Sequence, residues 1–265
     1  MISVVNGQSL YWRMDGPADA PVAVLAHSLG GSHRLWDWQV AALAGRWRVL
    51  RYDLPGHGDS AAPASAPTLE RYVADAVGIM DAAGVGKAHW VGLSLGGMIG
   101  QGLALAHGDR LLSLALCNTA ALAGPWYREN LARREKVAHA SGMAAIWEMT
   151  KTFWFTPEFL AAEDPVYRSV RKVFLATSIA GYVGGAAAVA ELAYLARLSG
   201  IRTSTAVIAS AADPIATIGH AEAMADCIPG AALHVVEGYR HFSNVEAPAA
   251  FNACLLPFLE ANRAA

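Results

Sequence analysis

The sequence predicts an α/β protein: an eight-stranded, mostly parallel central sheet flanked by helices, with an inserted helical cap. Three observations predict it. Short apolar runs rich in β-branched residues alternate with longer segments of helical periodicity, the pattern of a sheet covered on both faces. That alternation stops after Asn118 and resumes near Thr205, leaving a long helical stretch between. The 265 residues are 54% hydrophobic and 16% charged, enough apolar surface for one large core and unlike a disordered chain.

The elements follow in order. An opening hairpin is expected over 2–5 and 9–14, then strands at 22–27, 47–52, 88–92, 111–117, 205–210 and 232–236. Helices are expected near 35–44, 69–83, 95–106, 215–227 and 248–261, the last opening on a proline where helices tolerate one. The sheet-forming core is therefore assigned to 1–120 and 199–265, and the cap to 121–198. A helical insertion leaving a parallel sheet at a strand's carboxyl end is well placed to roof the crevice where such folds bind ligands.

Composition narrows the function. A formal net charge of -2 supplies no field for gathering phosphates or anionic lipid, so nucleic acid is not an expected partner. The start, MISVVNGQSLYW, has neither the basic residues nor the apolar run of a secretion signal, and three cysteines cannot all pair within one chain. Cys117, Cys227 and Cys254 are read as reduced thiols in a cytoplasmic protein. The stretches 88–108 and 173–190 are long and uncharged, but glycines interrupt both, and no membrane span is expected.

The strongest chemical signal is Gly92-Leu93-Ser94-Leu95-Gly96-Gly97, between the run HWV and the helical MIGQGLALA. It fits the strand–turn–helix elbow G-x-S-x-G, in which a tight bend lifts a serine hydroxyl above the sheet and side chains two residues either side would collide. A serine hydroxyl needs a base, so a carboxylate and a histidine should follow in chain order. Of nine histidines, His241 is the one in a loop between the last strand and the last helix. His89 and His234 fall within strands, and His107, His139 and His220 look like helix-surface positions. Asp213 ends the strand-like TAVIAS and would fix the histidine tautomer; taken alone it reads as a helix cap. Ser94, Asp213 and His241 are therefore the expected catalytic triad. Asn118, at the end of an earlier strand, is an amide and cannot replace the acid.

The oxyanion donors are assigned to the backbone N–H groups of Leu95, at a helix start, and Leu29, with Ser28 as the alternative to Leu29. His27 reads as an anchor for its loop, because no second histidine or cysteine stands at ligand spacing, and no metal or other cofactor is expected. The turn-rich run from Arg51 to Ser60 is assigned structure rather than chemistry.

The segments HSLGGSHRLWDWQVAAL, RYDLPGHGDS, VGLSLGGMIGQ, LCNTAA and FTPEF, with the histidine loop, resemble the 3-oxoadipate enol-lactonases of the α/β-hydrolase superfamily over nearly the whole chain. The elbow and the R-Y-D-x-x-G-H-G loop are shared widely in that superfamily; HSLG, NTAA, FTPEF and GYVGGAAA are more telling. Two places depart from the pattern: EGYRH carries Tyr239 and Arg240 where smaller residues are expected, and SAADP carries alanines. The resemblance implies ring opening of an anionic lactone, a small-molecule substrate, in aromatic catabolism by the β-ketoadipate pathway. An acetate arm calls for a cation, and Arg128, Arg133, Arg134 or Lys151 would supply it. Trp126, Trp147 and Trp154 would serve as pocket wall or cap core. Rival readings are another ester, lactone or carbon–carbon hydrolase of the same fold, a cofactor-free peroxidase or dioxygenase, and a ligand-binding receptor.

Overall fold

Residues 1–263 are described by a computed structural model. Eight strands form one sheet in the order β1-β2-β4-β3-β5-β6-β7-β8: β1 (Ile2–Val5), β2 (Gln8–Asp15), β3 (Val22–Ala26), β4 (Arg48–Tyr52), β5 (Ala88–Leu93), β6 (Leu111–Cys117), β7 (Thr205–Ser210) and β8 (Ala232–Val236). β1 and β2 pair antiparallel, as does β2 with β4; every later pairing is parallel. The fold expected from the sequence is the fold found, with strand ends shifted by one residue at most.

The central strands read as continuous apolar runs because both faces are buried. Val24, Trp90, Leu114 and Val207 join the core on one face, and Leu25, Val91, Ala115 and Ile208 that on the other, with the two-residue period of a strand. The first face is covered by α2 (Leu69–Ala82), α3 (Leu95–Ala106) and, later in the chain, α8 (Ile218–Cys227); the second is covered by α1 (Asp37–Leu43) and α10 (Pro248–Ala261), with the short α9 (Ser243–Glu246) leading into α10.

Between β6 and β7 lie α4 (Pro125–Trp154), α5 (Pro157–Ala162), α6 (Pro165–Ala176) and α7 (Ile179–Ala190). Where this insertion leaves and re-enters the sheet its two legs are tied: Ala123 N–H donates to Leu192 O at 2.9 Å and Tyr194 N–H to Ala121 O at 2.8 Å. Trp147, Trp154 and Phe174 share a core with strand residues Leu25 and Val91, so the insertion packs on the sheet as one body with it.

Two glycine features shape the insertion. Gly142 has φ 72° and ψ -177° inside α4, which breaks that helix into two arms. Gly181 and Gly185 of α7 bring its backbone against the loops after β4 and β3: a Cβ would meet Gly56 Cα at 2.7 Å at the first and Leu29 Cδ1 at 2.6 Å at the second. No described helix is long and apolar enough to cross a membrane; α6 and α7 reach that length only together and meet at 91°.

Two helix starts differ from the sequence expectation. The segment from residue 35 opens as a 3-10 turn over His33–Trp36 before α1 begins, with the Ser32 hydroxyl accepting from Arg34 N–H. Helix α8 begins at Ile218 rather than 215, because the Asp213 carboxylate takes the Ile215 and Ala216 N–H groups into a turn first. Thr217 then caps α8 together with His220, whose ring accepts from Thr217 N–H and lies edge-on to Tyr127, so His220 is committed to the helix start.

Candidate active site

The loops after β3, β5, β7 and β8 all open at the carboxyl edge of the sheet, where open α/β sheets bind ligands. Ser94 stands between β5 and α3 with φ 54° and ψ -114°. A non-glycine residue there carries strain of ~1–3 kcal/mol, held only if its surroundings over-determine it. They do: Ser94 N–H donates to Cys117 O at 2.9 Å, and its carbonyl accepts from Gly97 N–H, Met98 N–H and the Thr119 hydroxyl.

The flanking glycines are forced by contact. A Cβ at Gly92 would lie 2.2 Å from Gly96 O, and one at Gly96 would lie 2.2 Å from Ala26 O. Both obstacles are backbone atoms that cannot swing aside. Gly96→Ala is therefore expected to cost about 3 kcal/mol or more, the upper end for overpacking. Urea unfolding at constant m reads this directly, and a loss under about 1 kcal/mol would contradict the packing.

Asp213 and His241, 28 residues apart in sequence, meet in the interior, 4% and 2% exposed. His241 Nδ1–H donates to Asp213 Oδ2 at 2.6 Å. The same oxygen accepts from Asn118 Nδ2 at 3.0 Å, and Oδ1 accepts from Ile215 and Ala216 N–H at 2.8 and 3.1 Å. With the Nδ1 proton committed to the carboxylate, Nε2 is the basic nitrogen. Ser94 and His241 line one cavity. Among the described residues no direct hydrogen bond joins the two side chains, the loose geometry common in sites without substrate.

The histidine loop is fastened to the end of α4. Phe242 N–H donates to Trp154 O at 3.1 Å, the two rings stack with centroids 3.9 Å apart, and His241 lies on the Phe242 ring at 5.7 Å. Arg240 donates to the carbonyls of Thr152 and Phe155, terminal acceptors of α4 left open by the helix. That contact explains the large residue before His241. Ala211 and Ala212, the other departure, are simply exposed.

On the oxyanion side, Ser28 and Leu29 both line the cavity, and among the described residues no acceptor takes the Leu29 N–H. Leu95 is the first residue of α3, where the N–H has no intrahelical partner. Two buried histidines clamp this loop to the one after β4. His27 Nδ1–H donates to Ser28 O while Nε2 accepts from Leu54 N–H; His57 Nδ1–H donates to Pro55 O while Nε2 accepts from Gly30 N–H. Both rings are thus held neutral.

Burial pushes His57 down to about 3, and lowers His27 as well. A histidine depressed in the folded state is protonated first in the unfolded chain, so stability present above pH ~6.5 is lost as pH falls toward the folded value. The melting temperature should drop between pH 6.5 and 4, and drop less in His57→Gln, whose side chain does not titrate. Equal slopes for the two proteins would remove His57 as a cause.

His33, Asp53 and Asp59 bring three potential metal-ligand atoms within 4.8 Å of one another. The Asp53 oxygens are already taken by His33 N–H at 2.6 Å, the His33 ring at 2.9 Å and Asp59 N–H at 2.9 Å. The cluster fits a loop clamp, not a cation.

The cavity is mostly apolar, with Leu29, Met98, Phe153, Val189 and Ile215 on its walls. Arg134 enters it from α4 and is 6% exposed. Its donors go to Asn130 Oδ1 at 2.6 Å, Thr150 Oγ1 at 2.5 Å, Met149 O at 2.8 Å and Tyr182 OH at 3.4 Å, and it lies over the Phe153 ring at 5.6 Å. Every partner is neutral, and among the described residues no carboxylate pairs with it. A buried cation ordinarily has an anion.

The other candidate cations lie elsewhere. Arg128 and Arg133 are exposed and do not line the cavity, Arg128 donating to Ala190 O at 3.2 Å, and Lys151 is paired with Glu148. Trp126, 49% exposed, and Trp154, 4% exposed, are on the cavity wall. Trp147 is not: it is fully buried among Trp154, Tyr167 and Phe174 as core. Asn130, Thr150 and Tyr182 were not expected. Asn130 stands one helical turn before Arg134, a spacing that places the two side chains together, whereas Thr150 has no such signal, since the break at Gly142 is what brings residues 134 and 150 together.

An eight-stranded sheet in this order, a serine at the strained turn after β5 and a buried aspartate–histidine pair at its edge define a hydrolase of the α/β class. The chain belongs to the α/β-hydrolase fold family, which it matches over residues 21–248. It is similar to 3-oxoadipate enol-lactonase 1 of Acinetobacter baylyi, 33% identical over 251 residues, covering 95% of this chain and 93% of that one. The crystal structure of the enol-lactonase from Burkholderia xenovorans LB400 superposes with a TM-score of 0.94 at 36% identity, covering 98% of this chain and 100% of that one. A putative carbamate hydrolase, RutD, of Caulobacter sp. is 32% identical over 253 residues, 94% of each chain.

Proposed function

We propose that this protein is a serine hydrolase that opens 3-oxoadipate enol-lactone to 3-oxoadipate, in cytoplasmic catabolism of aromatic compounds. Ser94 Oγ attacks the lactone carbonyl carbon as its proton passes to His241 Nε2, and the N–H groups of Leu29 and Leu95 receive the oxyanion. Collapse breaks the ring C–O bond. The leaving group is an enolate, which needs less help from an acid than an alkoxide; it takes the proton back from His241 Nε2 and becomes the ketone, leaving the imidazole neutral. The ketone stays tethered to the acyl chain on Ser94 until His241 takes a proton from water, whose oxygen attacks the ester and returns Ser94 to its hydroxyl form.

The observation that carries the substrate class is Arg134: a cation inside an apolar cavity, bonded only to neutral groups. A carboxylate arm of the substrate supplies the missing charge, and a planar guanidinium suits it. The enol-lactonase relatives support the same choice.

The test is a ring-opening assay comparing kcat/KM for the enol-lactone with that for a neutral ester of similar size and for a simple carbamate. The lactone should be preferred by about 100-fold or more, the worth of one charge-assisted contact at about 3 kcal/mol. A carbamate turned over faster than the lactone would replace this reading with the one suggested by the RutD relative.

A further inference from the structure

Asn118 and Thr119 follow β6 directly and take no part in the reaction written above. Their side chains nevertheless reach both halves of the site. Asn118 Nδ2 donates to Asp213 Oδ2 at 3.0 Å, the oxygen that also accepts from His241. Thr119 Oγ1 donates to the carbonyl of Ser94 at 2.7 Å. Both residues are buried, 1% and 2% exposed.

The backbone joins these two contacts rigidly. Asn118 N–H is bonded to Ile208 O of β7 at 2.8 Å, and the preceding carbonyl, of Cys117, accepts from Ser94 N–H at 2.9 Å. A single peptide therefore stands between the strand that ends at the acid and the turn that carries the nucleophile. Asn118 has φ 41°, a conformation asparagine tolerates better than most residues.

The asparagine is kept at a cost. Its Oδ1 is buried with no partner among the described residues, which packing alone does not justify. What the amide provides is its donor. Oδ2 of Asp213 then has both accepting directions filled, and the carboxylate is fixed against rotation beneath the imidazole.

We infer that Asn118 and Thr119 are positioning residues that bracket the triad, one holding the acid and the other the nucleophile turn. The inference rests on the serine mechanism proposed above. Loosening either contact lets a reacting group drift, and a displacement of about 1 Å costs on the order of 100-fold in rate.

The experiment uses the full chain with p-nitrophenyl acetate and with the enol-lactone, in Asn118→Gly, Thr119→Val and Thr119→Ser. Glycine at 118 suits the positive φ, so it removes the amide without straining the turn. Asn118→Gly and Thr119→Val should each lower kcat by about 10- to 100-fold with KM within about twofold, and Thr119→Ser should restore kcat to within about threefold. The downfield resonance of the His241 Nδ1 proton should shift or broaden in Asn118→Gly. If that variant fails to fold, the two Thr119 variants decide the matter by the same kcat and rescue criteria. Wild-type kcat in Asn118→Gly and Thr119→Val overturns the bracket, as does a loss in Thr119→Val that Thr119→Ser does not repair. A Ser94→Ala protein that keeps its activity overturns the serine mechanism itself, a result separate from either of these.

Discussion

Ser94→Ala is expected to reduce kcat/KM by roughly 10⁴- to 10⁶-fold, as removal of a triad member does elsewhere. What survives should come from the oxyanion donors and from substrate binding, neither of which the substitution touches. Folding should be almost unchanged, because alanine at φ 54° bears the same backbone strain as serine. Ser94→Gly is the informative companion: it is equally inactive but released from that strain, so urea should show it more stable by about 1 kcal/mol. A Ser94→Ala protein with more than about a hundredth of wild-type activity, free of wild-type contamination, would end the acyl-enzyme mechanism.

The second large effect is expected at Arg134. Replacement by methionine keeps the length and apolar stem of the side chain and deletes the charge. The kcat/KM for the carboxylate-bearing lactone should fall by about 100-fold, mainly through KM, while a neutral ester of similar size should change by less than about threefold. Stability should hold or improve, because a buried charge paired only with neutral groups is expensive and an apolar replacement is often neutral or favourable. Equal losses on both substrates would mean that Arg134 only supports the cavity wall.

The sheet was legible because the central strands β3, β5, β6 and β7 are short, largely apolar runs set between segments of helical periodicity. The serine turn and the aspartate–histidine pair proposed as a triad stood out because a serine flanked two residues away by glycines, and an aspartate and a histidine each just past a strand, follow in the fold's chain order. Details that depend on a side chain competing with the backbone were not. Asp213 delays α8 by three residues by taking two N–H groups that helix periodicity would assign to the helix. Inside the insertion, hydrophobicity cannot say which neighbour a residue meets. Trp147 and Trp154 are two turns apart and both pack on aromatic rings, yet only Trp154 reaches the cavity wall. Arg133 and Arg134 are adjacent and differ by about 100° of helix rotation, so only one can look inward, and composition does not choose between them.

The break at Gly142 has one more consequence. Arg134 and Thr150 are 16 residues apart, which would be ~24 Å in a straight helix, yet their side chains touch because α4 breaks at Gly142. The seat proposed for the substrate carboxylate is thus written in a residue count as much as in residue types. Adding or deleting one residue in either arm would slide the donors by ~1.5 Å and turn them by ~100°, uncoupling the guanidinium from its hydroxyl and carbonyl neighbours. Across a lineage, then, loops at the outer rim are free to lengthen, whereas the hairpin between 134 and 150 should keep a constant span wherever the preference for an acidic substrate is kept.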